Sequence, residues 1–114
     1  MKVIIAGSRN FNDYEKLKEV CDFMLSRQTD IEIVSGVARG ADLLGEQYAK
    51  EKGYQIKQFP ADWSMGKQAG YVRNEQMAQY ADAAIVFWDG KSKGSQHMIN
   101  LAKKYDLKVK IHKF

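Results

Sequence analysis

The sequence predicts an α/β fold: a single small Rossmann-like domain of three layers built on a five-stranded parallel sheet. Three observations predict it. Short apolar runs of strand length alternate with stretches of helical periodicity along the chain. Several of the strand-like runs stop at a glycine or proline and give way to a helical pattern, the punctuation of βαβ units. The length of 114 residues, with 45% apolar and 28% charged side chains, suits one core and not two. Five strands alternating with four helices imply right-handed crossovers and helices on both faces of the sheet.

The elements follow in order. Residues 3–6 form a continuous apolar run ending at Gly7. Leu17, Val20, Cys21, Met24 and Leu25 keep the spacing of an amphipathic helix, for which Asn12 is the expected cap and Glu15 the partner in a capping box. Residues 31–35 are the second strand, stopping at Gly36. A helix over 41–52 ends at Gly53, and 54–59 alternates as the third strand, closed by Pro60. A loop through Gly66 leads to a helix over 68–80. Residues 83–88 are the fourth strand, a turn spans 89–94, and Met98, Leu101, Ala102 and Tyr105 mark the last helix before an alternating strand over 108–112. No internal repeat, low-complexity tract or linker interrupts this pattern.

Composition excludes several classes. No apolar run approaches membrane-spanning length, and the mean hydropathy is −0.49. The first ten residues read as a strand and not as a signal peptide. One cysteine, Cys21, precludes an internal disulfide and suits a reducing cytoplasm. With only His97 and His112 beside it, neither a zinc site nor any other metal or cofactor is expected. The net charge of +4 is unevenly spread: residues 90–114 hold seven lysines and one acid, Asp106. Such a basic end either attracts nucleic acid or an anionic ligand, or simply solvates a terminal helix and strand.

In a parallel α/β sheet, ligands bind beyond the carboxyl ends of the strands. Three of those ends carry loops suited to an anion. The first holds Gly7, Ser8, Arg9 and Asn10. The second runs from Ser35 through Gly36, Arg39 and Gly40 to Asp42. The third holds Asp89, Gly90, Lys91, Ser92, Gly94 and Ser95. Glycines allow close backbone approach, a following helix N-terminus adds partial positive charge, and Ser, Arg and Lys supply further donors to phosphate oxygens. Convergence of three such loops points to a phosphate-bearing ligand. The Walker pattern fails because no lysine stands between Gly94 and Ser95, and GxGxxG is absent after the first strand.

Other residues carry two readings each. Asp42 and Glu46 share a helix face; they either hold a ribose or act as a base, or Asp42 complements the helix dipole while Glu46 pairs with Lys50. Arg73, beside Asn74, either binds a phosphate or caps a neighbouring carbonyl. Trp63 and Trp88 either stack on a base or, for Trp88 above all, pack in the core. His97 is either a general acid or a solvated helix residue.

Together these residues resemble a known family. Ala6 to Arg9, Ser35 to Asp42 with Glu46 and Ala49, Pro60 to Trp63, Gly66-Lys67, Gly70, Arg73-Asn74, Met77 and the Trp88 to Ser95 turn are similar to the YspA-like branch of the SLOG superfamily. The matches spread over nearly the whole chain, so the resemblance identifies residues 1–114 as one SLOG-type nucleotide-ligand-binding domain. Val37 stands where the branch commonly has a second glycine. The resemblance implies the strand order 3-2-1-4-5. It also brings in two relatives: the lonely-guy phosphoribohydrolases, which release a base from a nucleoside monophosphate, and DNA-processing protein A, which loads single-stranded DNA. Against the PGGxGTxxE turn of the phosphoribohydrolases, Gly94-Ser95 matches Gly-Thr, Arg73 matches their functional arginine, and the glutamate position falls on Met98.

The expected function is therefore binding of a nucleotide-derived small molecule (a nucleoside monophosphate, or an ADP-ribose or NAD derivative) as a sensor or sequestering module. Gly7 to Arg9 and Gly90 to Ser95 would cradle phosphate, Gly36, Arg39 and Gly40 would add donors, Asp42 or Glu46 would hold a ribose hydroxyl, and Arg73 would offset charge. The first alternative is an N-glycosidase using Arg73 and Glu46. The second is single-stranded nucleic-acid binding through the basic end. No membrane partner is expected, and the exposed faces of the third and fourth helices offer a route to a homo-oligomer.

Overall fold

Strand β1 (Lys2–Gly7) lies at the middle of the sheet, and its side chains explain why. Val3 and Ile5 face one way, Ile4 and Ala6 the other, and all four are buried. Such a run is hidden only in a strand covered on both faces. The computed structural model describes residues 1–114 and continues with α1 (Tyr14–Leu25), β2 (Glu32–Ser35), α2 (Ala41–Lys52), β3 (Gln55–Gln58), a 3-10 helix (Trp63–Gln68), α3 (Ala69–Tyr80), β4 (Ala83–Trp88), α4 (Lys93–Lys104) and β5 (Lys108–Lys113). The strand order is β3-β2-β1-β4-β5 and every pairing is parallel, the arrangement expected from the sequence.

Two cores sandwich the sheet. On one side Val3, Ile5, Ile33, Ile85 and Phe87 pack against Leu17 and Cys21 of α1 and Tyr48 and Ala49 of α2. On the other side Ile4, Ala6, Val34, Ala84 and Val86 meet Met77 of α3 and Met98, Ile99 and Ala102 of α4. The period-2 alternation of the central strands thus decides which helix pair each side chain meets. Helix α2 ends as its composition predicts: Gly53 adopts φ 75°, and its N–H reaches back to Lys50 O at 3.3 Å.

Two local expectations are corrected. Helix α1 is capped by Asp13 and not Asn12, because Tyr14 is the first helical residue and the Asp13 carboxylate accepts from Lys16 N at 3.1 Å. Glu15 remains in the first turn, where it complements the dipole. The stretch 63–67, expected as loop, winds with Gln68 into a 3-10 helix, so that α3 begins at Ala69. Its cap, Asp62, accepts from Ser64 N at 3.1 Å, and Gly66 at φ 75°, ψ −147° breaks it. All six of its residues are exposed, so it enters neither core. No helix is long and apolar enough to cross a membrane.

Candidate functional site

The carboxyl ends of β1 and β4 are adjacent at the point where strand order reverses, and a cavity of about 720 Å³ opens there. Gly7 makes the junction tight: a Cβ would stand 2.1 Å from Phe87 O, and without one Ser8 N donates to Phe87 O at 2.9 Å. Ser8 is buried, and its hydroxyl accepts from Asp89 N at 3.1 Å, tying the first loop to the fourth-strand turn. Asp89 organises that turn. Its carboxylate accepts from Lys91 N and Ser92 N, both at 2.8 Å, and these amides hold its pKa below the usual carboxylate range.

Helix α4 starts at this turn. Ser92 is its cap, accepting from Ser95 N at 3.3 Å; the first turn holds no acidic residue, and Ser92, Gly94 and Ser95 line the cavity. Ser95 lines the cavity and is 4% exposed, and its Oγ is the one buried side-chain polar atom without a hydrogen-bond partner. Buried hydroxyls are normally paired, so an orphan at a helix N-terminus marks an unmet hydrogen bond.

Across the cavity, α3 contributes Arg73 and Asn74. Arg73 donates from Nη1 to Gly36 O and from Nε to Asn74 Oδ1 at 3.0 Å. It therefore does cap a carbonyl, one of its two expected roles, while also lining the cavity. Burial pulls its pKa down, and Asp42 pushes it back up. Asn74 donates to Gly94 O at 3.3 Å and approaches His97 Nδ1 at 3.3 Å, which links α3 to the start of α4. His97 is half-buried against Tyr71, ring centroids 4.6 Å apart, and not a freely solvated helix residue. Desolvation lowers its pKa.

Helix α2 brings Asp42 to the cavity floor, 5% exposed. It accepts from Ala38 N at 3.3 Å, and burial raises its pKa to about 6, against the pull of Arg73 and of backbone amides. Gly36 permits this convergence, because a Cβ there would fall 2.6 Å from Asp42 Oδ2 and 2.7 Å from Arg73 Nη1. Glu46 does not reach the cavity, and it does not pair with Lys50. It is buried one turn deeper, accepting from Ser35 Oγ at 2.6 Å and from Gln58 Nε2 at 3.0 Å. Ser35 Oγ in turn accepts from Val37 N at 3.0 Å. Glu46 therefore braces the second loop from behind and contacts nothing in the cavity. That loop holds Val37 at φ 65°, a left-handed conformation costly for a β-branched residue.

The cavity thus unites Gly7, Ser8, Arg9, Arg39, Asp42, Arg73, Asn74, Asp89, Ser92, Gly94 and Ser95 among the expected residues. Gly36 lines a neighbouring hollow, and Gly40 caps α2 at φ 84°. Gly90 and Lys91 face a separate hollow of about 430 Å³ on the outer side of the turn, beside Trp88. Trp88 is half-buried against the second core, and its indole N–H donates to Ser92 O at 3.1 Å, so it packs and props the turn. Of the seven lysines from residue 90 onward, none lines the main cavity. Met98, 1% exposed, lines the cavity as an apolar wall. Lys67, Gly70 and Tyr71 also line it; Gly70 and Tyr71 stand four and three residues before Asn74, which was the available signal for a shared helix face. No cluster of three His, Cys, Asp or Glu side chains assembles.

Residues 1–66, more than half of the chain, match the family model described as YAcAr: YspA, cpYpsA-related SLOG family. In three dimensions the chain is similar to DNA processing protein A from Helicobacter pylori, a structure reported for its single-stranded DNA binding mode. The TM-score is 0.72 at 22% identity, and the match covers 97% of this chain and 64% of that one. No curated protein matches the sequence.

Proposed function

The chain belongs to the YspA, cpYpsA-related SLOG family, and from that premise we propose that it binds a phosphate-bearing nucleotide or nucleotide-sugar ligand in the 720 Å³ cavity, as a sensor or sequestering module. The observation that carries this reading is the orphaned, buried hydroxyl of Ser95 at the N-terminus of α4. A phosphate oxygen there would accept from Ser95 Oγ and from first-turn amides, with the dipole favouring its charge. Arg73 and Arg9 would neutralise the remaining charge, and Asp42 would hold a ribose hydroxyl.

Turnover is disfavoured by the cavity wall. Expulsion of a base through an oxocarbenium-like state needs a carboxylate near the anomeric carbon. Met98 offers none, Asp89 is committed to two backbone amides, and Glu46 lies outside the cavity. Asp42 is the remaining candidate base. A second reading, single-stranded nucleic acid along the same edge, is supported by the exposed Trp63 and by the likeness to DNA processing protein A. It predicts affinity falling steeply with salt.

One experiment separates these readings. The protein is incubated with nucleoside monophosphates, NAD, ADP-ribose and short single-stranded oligonucleotides; melting temperature reports binding and chromatography of the same samples reports cleavage. A stabilising nucleotide recovered intact supports the binding module. Accumulation of free base assigns a glycosidase, and stabilisation by oligonucleotides alone assigns nucleic acid.

A further inference from the structure

Positive charge gathers on one side of the main cavity. Arg9, Arg39 and Arg73 line that cavity, and the same three line a second hollow of about 680 Å³ toward β2. None of them pairs with a carboxylate: the ion pairs of the chain are Lys16–Glu19, Lys52–Asp22 and Lys104–Glu75. Burial lowers the Arg73 pKa, Asp42 opposes that, and the repulsion of nearby Arg9 adds to the lowering. Guanidiniums that converge repel one another, and a bridging anion relieves that repulsion.

The second hollow differs chemically from the first. The main cavity has two carboxylates, Asp42 and Asp89, whereas no acidic side chain lines its neighbour. Its walls are the second loop from Gly36 to Arg39, Pro60, Ala61 and Trp63, which is 58% exposed and stands between the two hollows, lining both. An aromatic wall beside a guanidinium cluster suits a flat heterocycle carried on a phosphate. Each hollow has a volume in the range of about 300–1,000 Å³ that accommodates one small molecule.

From this arrangement we infer that the site is two-lobed and takes a ligand of two nucleoside units joined through a phosphate bridge. One unit fills the main cavity, the bridge runs from Ser95 across the three arginines, and the second unit lies against Trp63. The inference rests on the reading that the main cavity binds a nucleotide. A diphosphate bridge and a 3′,5′-phosphodiester share this chemistry.

Calorimetric titration of the full chain with adenosine monophosphate, diadenosine diphosphate and the 5′-phosphorylated adenosine dinucleotide tests it. At least one two-unit ligand is expected to bind about 10-fold or more tightly than the monophosphate, and the tighter of the two identifies the bridge. Ala61→Phe fills the second hollow without touching the main cavity. It should abolish that gain and leave the monophosphate affinity within about twofold. Ala61→Gln, a smaller plug, repeats the test if phenylalanine disturbs folding. Two-unit ligands no tighter than the monophosphate, or a gain that survives both substitutions, overturn the two-lobed site and leave nucleotide binding standing. Failure of all three ligands to bind overturns the underlying reading as well.

Discussion

Replacing Ser95 by alanine should move stability and binding in opposite directions. In the free protein Ser95 Oγ is buried with no partner. An unsatisfied buried hydroxyl costs about 1–3 kcal/mol. Alanine removes that cost and is the better helix former in the first turn of α4, by about 0.5 kcal/mol. The small void left behind takes back part of the gain, so Ser95→Ala should be more stable by about 1 kcal/mol. With a phosphate in place the same hydroxyl donates to a charged acceptor, an interaction of about 1.5–3 kcal/mol, so its loss should weaken nucleotide affinity about 10- to 150-fold. Urea denaturation of the free protein measures the first effect, and titration with whichever nucleotide stabilises the wild type measures the second. A variant that loses stability by more than about 1 kcal/mol would show that the hydroxyl is satisfied in the free protein. Unchanged affinity would show that the phosphate sits elsewhere. Either result refutes the assignment of α4's N-terminus.

Three further outcomes follow from the geometry. The Asp42 carboxyl has a folded pKa of about 6 against an ordinary 3.8, so the folded state binds the extra proton between these values. Its contribution to stability is therefore greatest below about pH 4 and is lost as pH rises through about 6, by at most about 3 kcal/mol. His97, with its pKa lowered, acts in the opposite sense near pH 6, and Asp22 and Asp89 do so at lower pH. The difference between wild type and Asp42→Asn across pH 4–8 isolates Asp42; a flat difference would contradict its burial as an ionisable group. Val37→Gly should relieve about 1–2 kcal/mol of left-handed strain, offset by about 0.5–1 kcal/mol of unfolded-chain entropy. Denaturation should thus show a small gain, and a clear loss would mean that the valine side chain contributes packing. Glu46→Ala strands Ser35 Oγ and Gln58, and should destabilise by about 2–3 kcal/mol, with weaker nucleotide affinity only through the loosened second loop. A large affinity loss at unchanged stability would place Glu46 in contact with ligand after all.

The alternation of apolar runs and helical faces determined the fold from the sequence, because burial on two faces is written residue by residue. Val3 and Ile5 against Ile4 and Ala6 already separate the two cores. The loops at the carboxyl ends were equally legible, and most of their residues do meet in one cavity. The partners of the polar side chains were not legible. Glu46 shares a helix face with Asp42, as the spacing implied, yet four residues of helical rise carry it about 6 Å deeper, under the loop instead of into the cavity. Its partners, Ser35 and Gln58, are 11 and 12 residues away. Arg73 reaches a carbonyl 37 residues distant, and the raised pKa of Asp42 follows from burial that no local pattern records. Periodicity encodes which face of an element is covered. Which polar atoms that cover satisfies, and which it leaves unpaired at Ser95 or outside any ion pair at Arg9, Arg39 and Arg73, is decided only when distant strand ends are brought side by side.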